Sequence, residues 1–296
     1  MLDEALRRRL EVLNRGVLPA EAREVHTVAR PPVEASSPRV PVTHAPIGKP
    51  IPGILQQGEV VVTTAGEHLR IRLPIDALWP KGSQLVAGRQ TQLQQLLIEA
   101  QTAVEPTVVM DAEFAALVAA MPERVLMLDL ETCGLSGAAL FLAGVLRHLD
   151  GVPTIELLLA RDYAEEQAVL VTLWQTLDGQ EALVTFNGKS FDWPLVLDRS
   201  TRYRLAAARS PRRLLHLDML HHARRRWRRR LPDCRLQTLE QHICRRNRSG
   251  DIPGHRIPAA YADFVRTGFE RDMDAILYHN AMDLVTLLDL TLRLAG

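Results

Sequence analysis

The sequence predicts an α/β protein: a mixed β-sheet with helices packed on its faces, preceded by a small N-terminal extension of helix and hairpin. Three observations carry this. From residue 122 three apolar runs follow one another, the second and third joined by a short turn around Asp150-Gly151, as meandering antiparallel strands are. After them helical and extended patterns alternate, which points to further strands connected through helices. Before them, "GEVVVTTAGEHLRIRLPI" alternates about a Gly-containing turn and reads as a hairpin over residues 58–75.

In chain order, residues 1–30 read as one or two helices. Their start, "MLDEALRRRLEVLNRG", is charged and amphipathic and lacks the apolar core and cleavage site of a signal peptide. "RPPVEASSPRVPVTHAPIGKPIPG" (Arg30–Gly53) is rich in Pro and without periodicity, so it reads as a linker. The hairpin follows, then helices over "RQTQLQQLLIEAQTAV" and "DAEFAALVAAM". These make up an extension, residues 1–121. The domain proper, residues 122–296, begins with the strands "RVLMLDLE", "AALFLAGVLRHL" and "PTIELLLARD". It continues with a helix over "AEEQAVLVTLWQTL", a strand "EALVTFN", a helical "KSFDWPLVLDRS" and a strand in "RRLLHLDML", and is helical thereafter.

The composition, 47% hydrophobic and 24% charged, is that of a soluble globular protein. A formal net charge of +1 selects no class of partner. No apolar run approaches the roughly 18 residues that span a bilayer, so no membrane is expected and the cytoplasm is the default location. Cys133, Cys234 and Cys244 are too few for a disulfide framework and suit a reducing compartment. Cys234, His242, Cys244 and His255 match no common zinc spacing and read as semi-buried thiols and surface histidines.

The stretch "LMLDLETCGL" carries Asp129 and Glu131 one residue apart in an apolar strand. A strand repeats every two residues, so both carboxylates point to one face and repel each other unless something positive lies between them. Downstream, "VTFNGKSFDWP" places Asp192 at a helix start after a polar turn, and "YHNAMDLVTLLDL" places His279 and Asp283 four apart, one turn along a single helix face. Singly, each has a bland reading: an edge charge, a helix cap, a surface ion pair. Together and in this order they point to a metal site.

Asp129-x-Glu131, Asn187-x-x-x-Phe191-Asp192 and His279-x-x-x-Asp283 resemble the three exonuclease motifs of the DEDD (DnaQ-like, ribonuclease H-fold) 3′–5′ exonuclease superfamily. "LDLETCGLSG", "FNGKSFDWP", "HLDMLHHARRRW", "DIPGHRIPAAYADF" and "YHNAMDLVTLLDL", in that order, resemble its bacterial YprB-like branch over residues 122–294. The resemblance implies a ribonuclease H-like fold and a two-metal phosphodiester hydrolase. Two Mg²⁺ or Mn²⁺ ions activate the attacking water and stabilise the leaving oxygen, and such hard ions prefer carboxylates. Asp129 would bridge the ions, with Glu131, Asp192 and Asp283 completing their shells. His279 would be the general base, its ordinary pKa lying near neutrality. In the superfamily a histidine base stands five residues before the last Asp and a tyrosine four; here Tyr278 stands five before Asp283 and His279 four. The YprB-like branch uses the fourth position, so His279 is the expected base and Tyr278 the alternative.

Twelve arginines lie between Arg199 and Arg230 with Asp218 as their single acidic companion, while the whole chain has three lysines. "HHARRRWRRR", with Arg224, Arg225, Arg228 and Arg229, reads as a surface that holds phosphates, its bland alternative being a solvated helix face. Leu135 resembles the apolar wedge beside the terminal base. Asn187 and Lys189 are candidate substrate contacts, Lys189 reading equally as a solvated turn lysine. The expected function is a metal-dependent 3′–5′ exonuclease on single-stranded nucleic acid, DNA favoured. By resemblance its setting is DNA repair or processing, beside a helicase that supplies unpaired ends. The alternatives are an exoribonuclease that trims RNA and a non-catalytic nucleic-acid-binding module.

Overall fold

Seven strands form one mixed sheet in the order β1-β2-β5-β4-β3-β6-β7 in this computed structural model, which describes residues 51–102, 110–134, 138–206 and 214–296. The described residues all belong to a single unit, Thr43–Gly296. The expected N-terminal helices and most of the Pro-rich linker lie outside the described residues, as does Leu135.

The hairpin expected at 58–75 is β1 (Glu59–Thr63) and β2 (Gly66–Pro74). It does not stand apart: β2 pairs antiparallel with β5 (Val152–Leu159) and extends the sheet. β5 pairs with β4 (Leu140–Leu149), and β4 with β3 (Val125–Thr132), again antiparallel. β3 then pairs in parallel with β6 (Ala182–Thr185), and β6 with β7 (Leu215–Asp218). The meander followed by parallel strands is the mixed sheet that the sequence pattern predicts.

Seven helices of eight residues or more are described: α1 (Gly82–Thr102), α2 (Ala112–Ala120), α3 (Glu166–Leu177), α4 (Asp192–Arg202), α5 (Met219–Trp227), α6 (Ile257–Thr267) and α7 (Met273–Ala295). Side-chain alternation decides which face each covers. Asp129, Gly144, Leu157 and Ile71 are successive cross-strand partners and share one face. α7 covers that face, with Asn280 and Leu284 lying directly over Gly144. The neighbouring set, Leu130, Ala143, Leu158 and Arg70, faces the other way. His68, two residues from Arg70, reaches Thr172 of α3 there, Nε2 to Oγ1 at 2.8 Å, so α3 and α7 sandwich the sheet. One apolar core runs from Ile54 to Ala295. The face under α7 therefore carries both the core and the expected acidic site.

Candidate active site

The C-terminal ends of the parallel strands meet at one edge of the sheet, where the strand-to-helix turns gather the polar residues. Asp129 and Glu131 close β3 on the α7 face, as their spacing requires. β6 turns into α4 through Asn187, whose φ of 66° lies in the left-handed region that Asn tolerates better than most residues. The Asn187 and Lys189 amides donate to the Asp218 carboxylate at 2.7 and 3.2 Å, so a buried acid at the end of β7 ties the turn in place. That turn delivers Asp192. Its Oδ1 accepts from the Leu130 amide at 3.2 Å, so the side chain reaches back to β3 rather than capping its own helix.

α7 supplies the rest. His279, Asn280 and Asp283 lie within its first three turns, over β3. Asn280 Nδ2 donates to Asp129 Oδ2 at 2.8 Å and to the Asp129 carbonyl at 3.2 Å. Its Oδ1 sits over Gly144, so closely that a β-carbon at residue 144 would occupy the same space. His279 Nδ1 is 2.8 Å from Asp251 Oδ1, and Nε2 is 3.5 Å from Asp283 Oδ2. Arg248 is nearly buried and pairs with Glu240 at 2.6 Å, with Asp251 at 3.4 Å and with Asp283. Tyr278 is enclosed in the hydrophobic core, and burial raises its hydroxyl's pKa. Of the two candidate bases, His279 is the one beside Asp283.

The electrostatics are those of too many acids in one place. Asp129, Glu131 and Asp192 are each partly open to solvent yet surrounded by enough protein that burial is the first cause of their perturbation. Burial, then the charges of Asp283, Glu131 and Asp192, push Asp129 well above the carboxylate range. Burial raises Glu131 to about 8, with Asp283 and Asp192 adding to it and His279 opposing. Asp192 rises to about 7, again through burial first. Burial acts to lower His279, but the Asp251 hydrogen bond and the charges of Asp283, Asp251 and Glu131 outweigh it and hold the imidazole at about 9.

These oxygens suit a hard divalent cation, which would offset both the burial and the mutual repulsion that raise them. In the positions shown, no three His, Cys, Asp or Glu side chains among the described residues gather closely enough to hold one. Asp283 is drawn to Arg248 and Asp192 to the Leu130 amide.

The sequence-predicted carboxylates and His279 thus come together around β3 and α7. The other candidates separate. Lys189 is exposed, its amide serving the turn. Arg224, Arg225, Arg228 and Arg229 are exposed on α5 and the turn after it, and Trp227 between them is buried against Leu239, Cys244 and Leu290. Sequence reasoning missed Arg248, Asp251, Asn280, Gly144 and Asp218. "DIPGHRIPAAYADF" enters the sequence reading only as one of the resembling motifs, with no role for its residues, yet its first residue orients His279.

Residues 126–295 match the family model of the RNase_H superfamily. The chain is also similar to the uncharacterized protein YprB of Bacillus subtilis (strain 168), 33% identical over 170 residues, which make up 56% of this chain and 41% of that protein. The match therefore spans less than half of that relative's length. The matched segment takes in all of β3 but its first residue, with Asp129 and Glu131, and Asp192 and the whole of α7. This chain belongs to the RNase_H superfamily.

Proposed function

We propose that the chain is a metal-dependent 3′–5′ exonuclease that hydrolyses single-stranded nucleic acid, DNA in preference to RNA. The observation that carries the reading is the acid cluster itself: four carboxylates from β3, α4 and α7, three of them held above their ordinary range, with an imidazole beside them. No folding requirement explains such a cluster, because mutual repulsion and burial both work against it. Family membership and the order of the three motifs favour phosphodiester hydrolysis over other metal chemistry.

Asp129, Glu131, Asp192 and Asp283 would hold two Mg²⁺ or Mn²⁺ ions, which supply Lewis acidity to the scissile phosphate. Asn280 fixes the Asp129 carboxylate by donating to Oδ2, leaving Oδ1 free to bind. Asp251 accepts from Nδ1 of His279, which fixes the tautomer and leaves Nε2 to take the proton of the attacking water. Neutralising Glu131 and Asp283 removes two of the charges that hold His279 near 9, and so brings the imidazole down towards the range in which it works as a base. The 3′-to-5′ direction, the DNA preference, a repair setting and a helicase partner rest on the motif resemblance.

The test is a time course on matched 5′-labelled DNA and RNA single strands with Mg²⁺ or Mn²⁺, comparing wild type with Asp129→Ala. A descending ladder that needs the metal and drops by at least about 10³-fold in the variant is expected. Intact strands with the wild type, despite tight salt-sensitive binding, would leave only a nucleic-acid-holding module.

A further inference from the structure

The arginines of α5 raise a question that the acid cluster does not answer. Among the described residues, no carboxylate forms an ion pair with Arg224, Arg225, Arg226, Arg228, Arg229 or Arg230, although ion pairs engage arginines on almost every other element. The dipole of α5 accounts for little of this, because its effect fades within the last turn and three of the six lie beyond Trp227. Arg225 is oriented instead by a neutral group: its Nη2 donates to Nδ1 of His222 at 2.6 Å, and His222 is buried, with its pKa lowered by burial and by Arg225. An imidazole that accepts a hydrogen bond aligns the guanidinium without discharging it.

Arg225, Arg226 and Arg230 line one wall of a cleft of about 680 Å³, whose floor includes Phe114 and the C-terminal end of α7 at Leu294. Asp111 is the one acidic side chain in its lining, and it is engaged as the cap of α2. Three guanidinium forks around a cavity of this size suit phosphate oxygens, which they bind in bidentate fashion.

The position of the cleft relative to the acid cluster follows from α7. Trp227 and Ala223 pack in one cluster with Leu290, and Leu294 lies against that cluster. At 100° per residue, Leu290 and Leu294 each fall within about 20° of the direction of Asp283, two and three turns further on. The arginine helix therefore docks on the same face of α7 as Asp283, and the cleft, which α7 lines at Leu294 and Ala295, is displaced along the helix axis by about 16–18 Å. At the stacked spacing of 3.4 Å, that is about five nucleotides of one strand.

We propose that this cleft is a second nucleic-acid site, which holds the backbone phosphates of a single strand about five nucleotides on the 5′ side of the bond at the acid cluster. The inference rests on the nuclease reading for which end of the strand lies at the acids. It makes the chain a length-sensing enzyme: strands too short to reach the arginines lose their grip.

The test uses the full chain and DNA single strands of 3, 6 and 20 nucleotides with a common 3′ end. Cleavage is followed with Mn²⁺, and equilibrium binding by fluorescence anisotropy in EDTA, across a salt series. For the wild type, kcat/KM and affinity should rise at least tenfold from the trimer to the 20-mer. In Arg225→Gln/Arg226→Gln/Arg230→Gln that ratio should collapse towards unity, and the slope of log K against log salt should fall by about 2 for three lost phosphate contacts. Arg266→Gln/Arg271→Gln, outside the cleft, should keep the ratio. A triple variant that keeps the length ratio and salt slope overturns the proposal, as does one that weakens all lengths equally. Polyglutamate displacing the 20-mer from these arginines by binding as tightly would assign the cleft to acidic peptide and overturn it too. Absence of turnover with arginine-dependent, length-dependent binding intact would sink the nuclease reading and leave the second site standing.

Discussion

The acid cluster and the arginine segment of α5 handle charge in opposite ways. Around Asp283, Arg248 is shared among Glu240, Asp251 and Asp283, and His279 lies between Asp251 and Asp283. On α5 and the turn after it, six exposed arginines form no ion pair with a carboxylate among the described residues. Burial separates the two cases. A guanidinium inside the protein costs several kcal/mol unless paired, whereas one in water costs almost nothing. Charges turned inward depend on partners within the fold; charges turned outward are stabilised by water. What the comparison teaches is that the density of charge does not say how a cluster is held; the distribution of its partners does.

The strongest way to break that contrast is to remove one cation from each side. Arg248→Met leaves three acids facing one another, and its expected cost is about 3–5 kcal/mol, the usual penalty for opening a buried pair. Arg228→Gln should stay within about 0.5 kcal/mol of wild type, as exposed substitutions do. Thermal melts in EDTA read both. Equal melting temperatures for the two variants would show that the balance around Asp283 is not what holds α7 in place.

The next effect sharpens the acid side alone. Glu131 at about 8 and Asp192 at about 7 bind protons in the folded chain that they release in the unfolded one above about pH 4, and His279 at about 9 acts in the same sense above about pH 6.5. The folded state is then the more protonated, so stability is present at low pH within this window and is lost as pH rises through 7 to 9. Because these acids are partly open to water, which screens the effect, the expected loss between pH 5 and 9 is on the order of 3 kcal/mol. Millimolar Mg²⁺ or Mn²⁺ should recover most of it at pH 8 and little at pH 5. A melting temperature flat in pH, with or without the ion, would contradict an acid cluster under repulsion.

The two sides also differ in how far the sequence reveals them. The strands are legible because apolar runs and short turns encode local structure, and β3–β7 fall where the pattern places them. The attachment of the β1–β2 hairpin to β5 is not legible, since the pairing of Ile71 with Leu157 depends on contacts some 86 residues apart, and alternation records only which residues share a face. At the site, Asp129, Glu131, Asp192, His279 and Asp283 can be read because the proposed chemistry calls for their types at their spacings. Arg248 and Asp251 cannot, because they reach the site from a loop with no periodicity, and in a chain this rich in arginine nothing marks Arg248 as special. The arginine run is conspicuous in sequence, but only the geometry of α7 shows where it lies relative to the acids.

Gly144 is the smallest of these tests and the one that no sequence pattern announces. It stands opposite Asp129 in the β3–β4 pair, and its bare backbone is the space into which Asn280 Oδ1 fits. Strands disfavour glycine, so its presence in the middle of β4 needs a cause, and the close approach of Asn280 provides one. In Gly144→Ala the added methyl must push Asn280 away, breaking its bond to Asp129 Oδ2. The expected cost in stability is about 1–3 kcal/mol, the ordinary penalty of overpacking. The cost in activity should be larger in proportion, because Asp129 would lose the donor that fixes its carboxylate. Asn280→Ala separates the two: combined with Gly144→Ala it relieves the clash, so the double variant should regain the melting temperature lost in Gly144→Ala while kcat stays low. A double variant no more stable than Gly144→Ala would mean that the glycine makes room for Leu284, whose Cδ1 would lie 3.0 Å from the new β-carbon, rather than for Asn280.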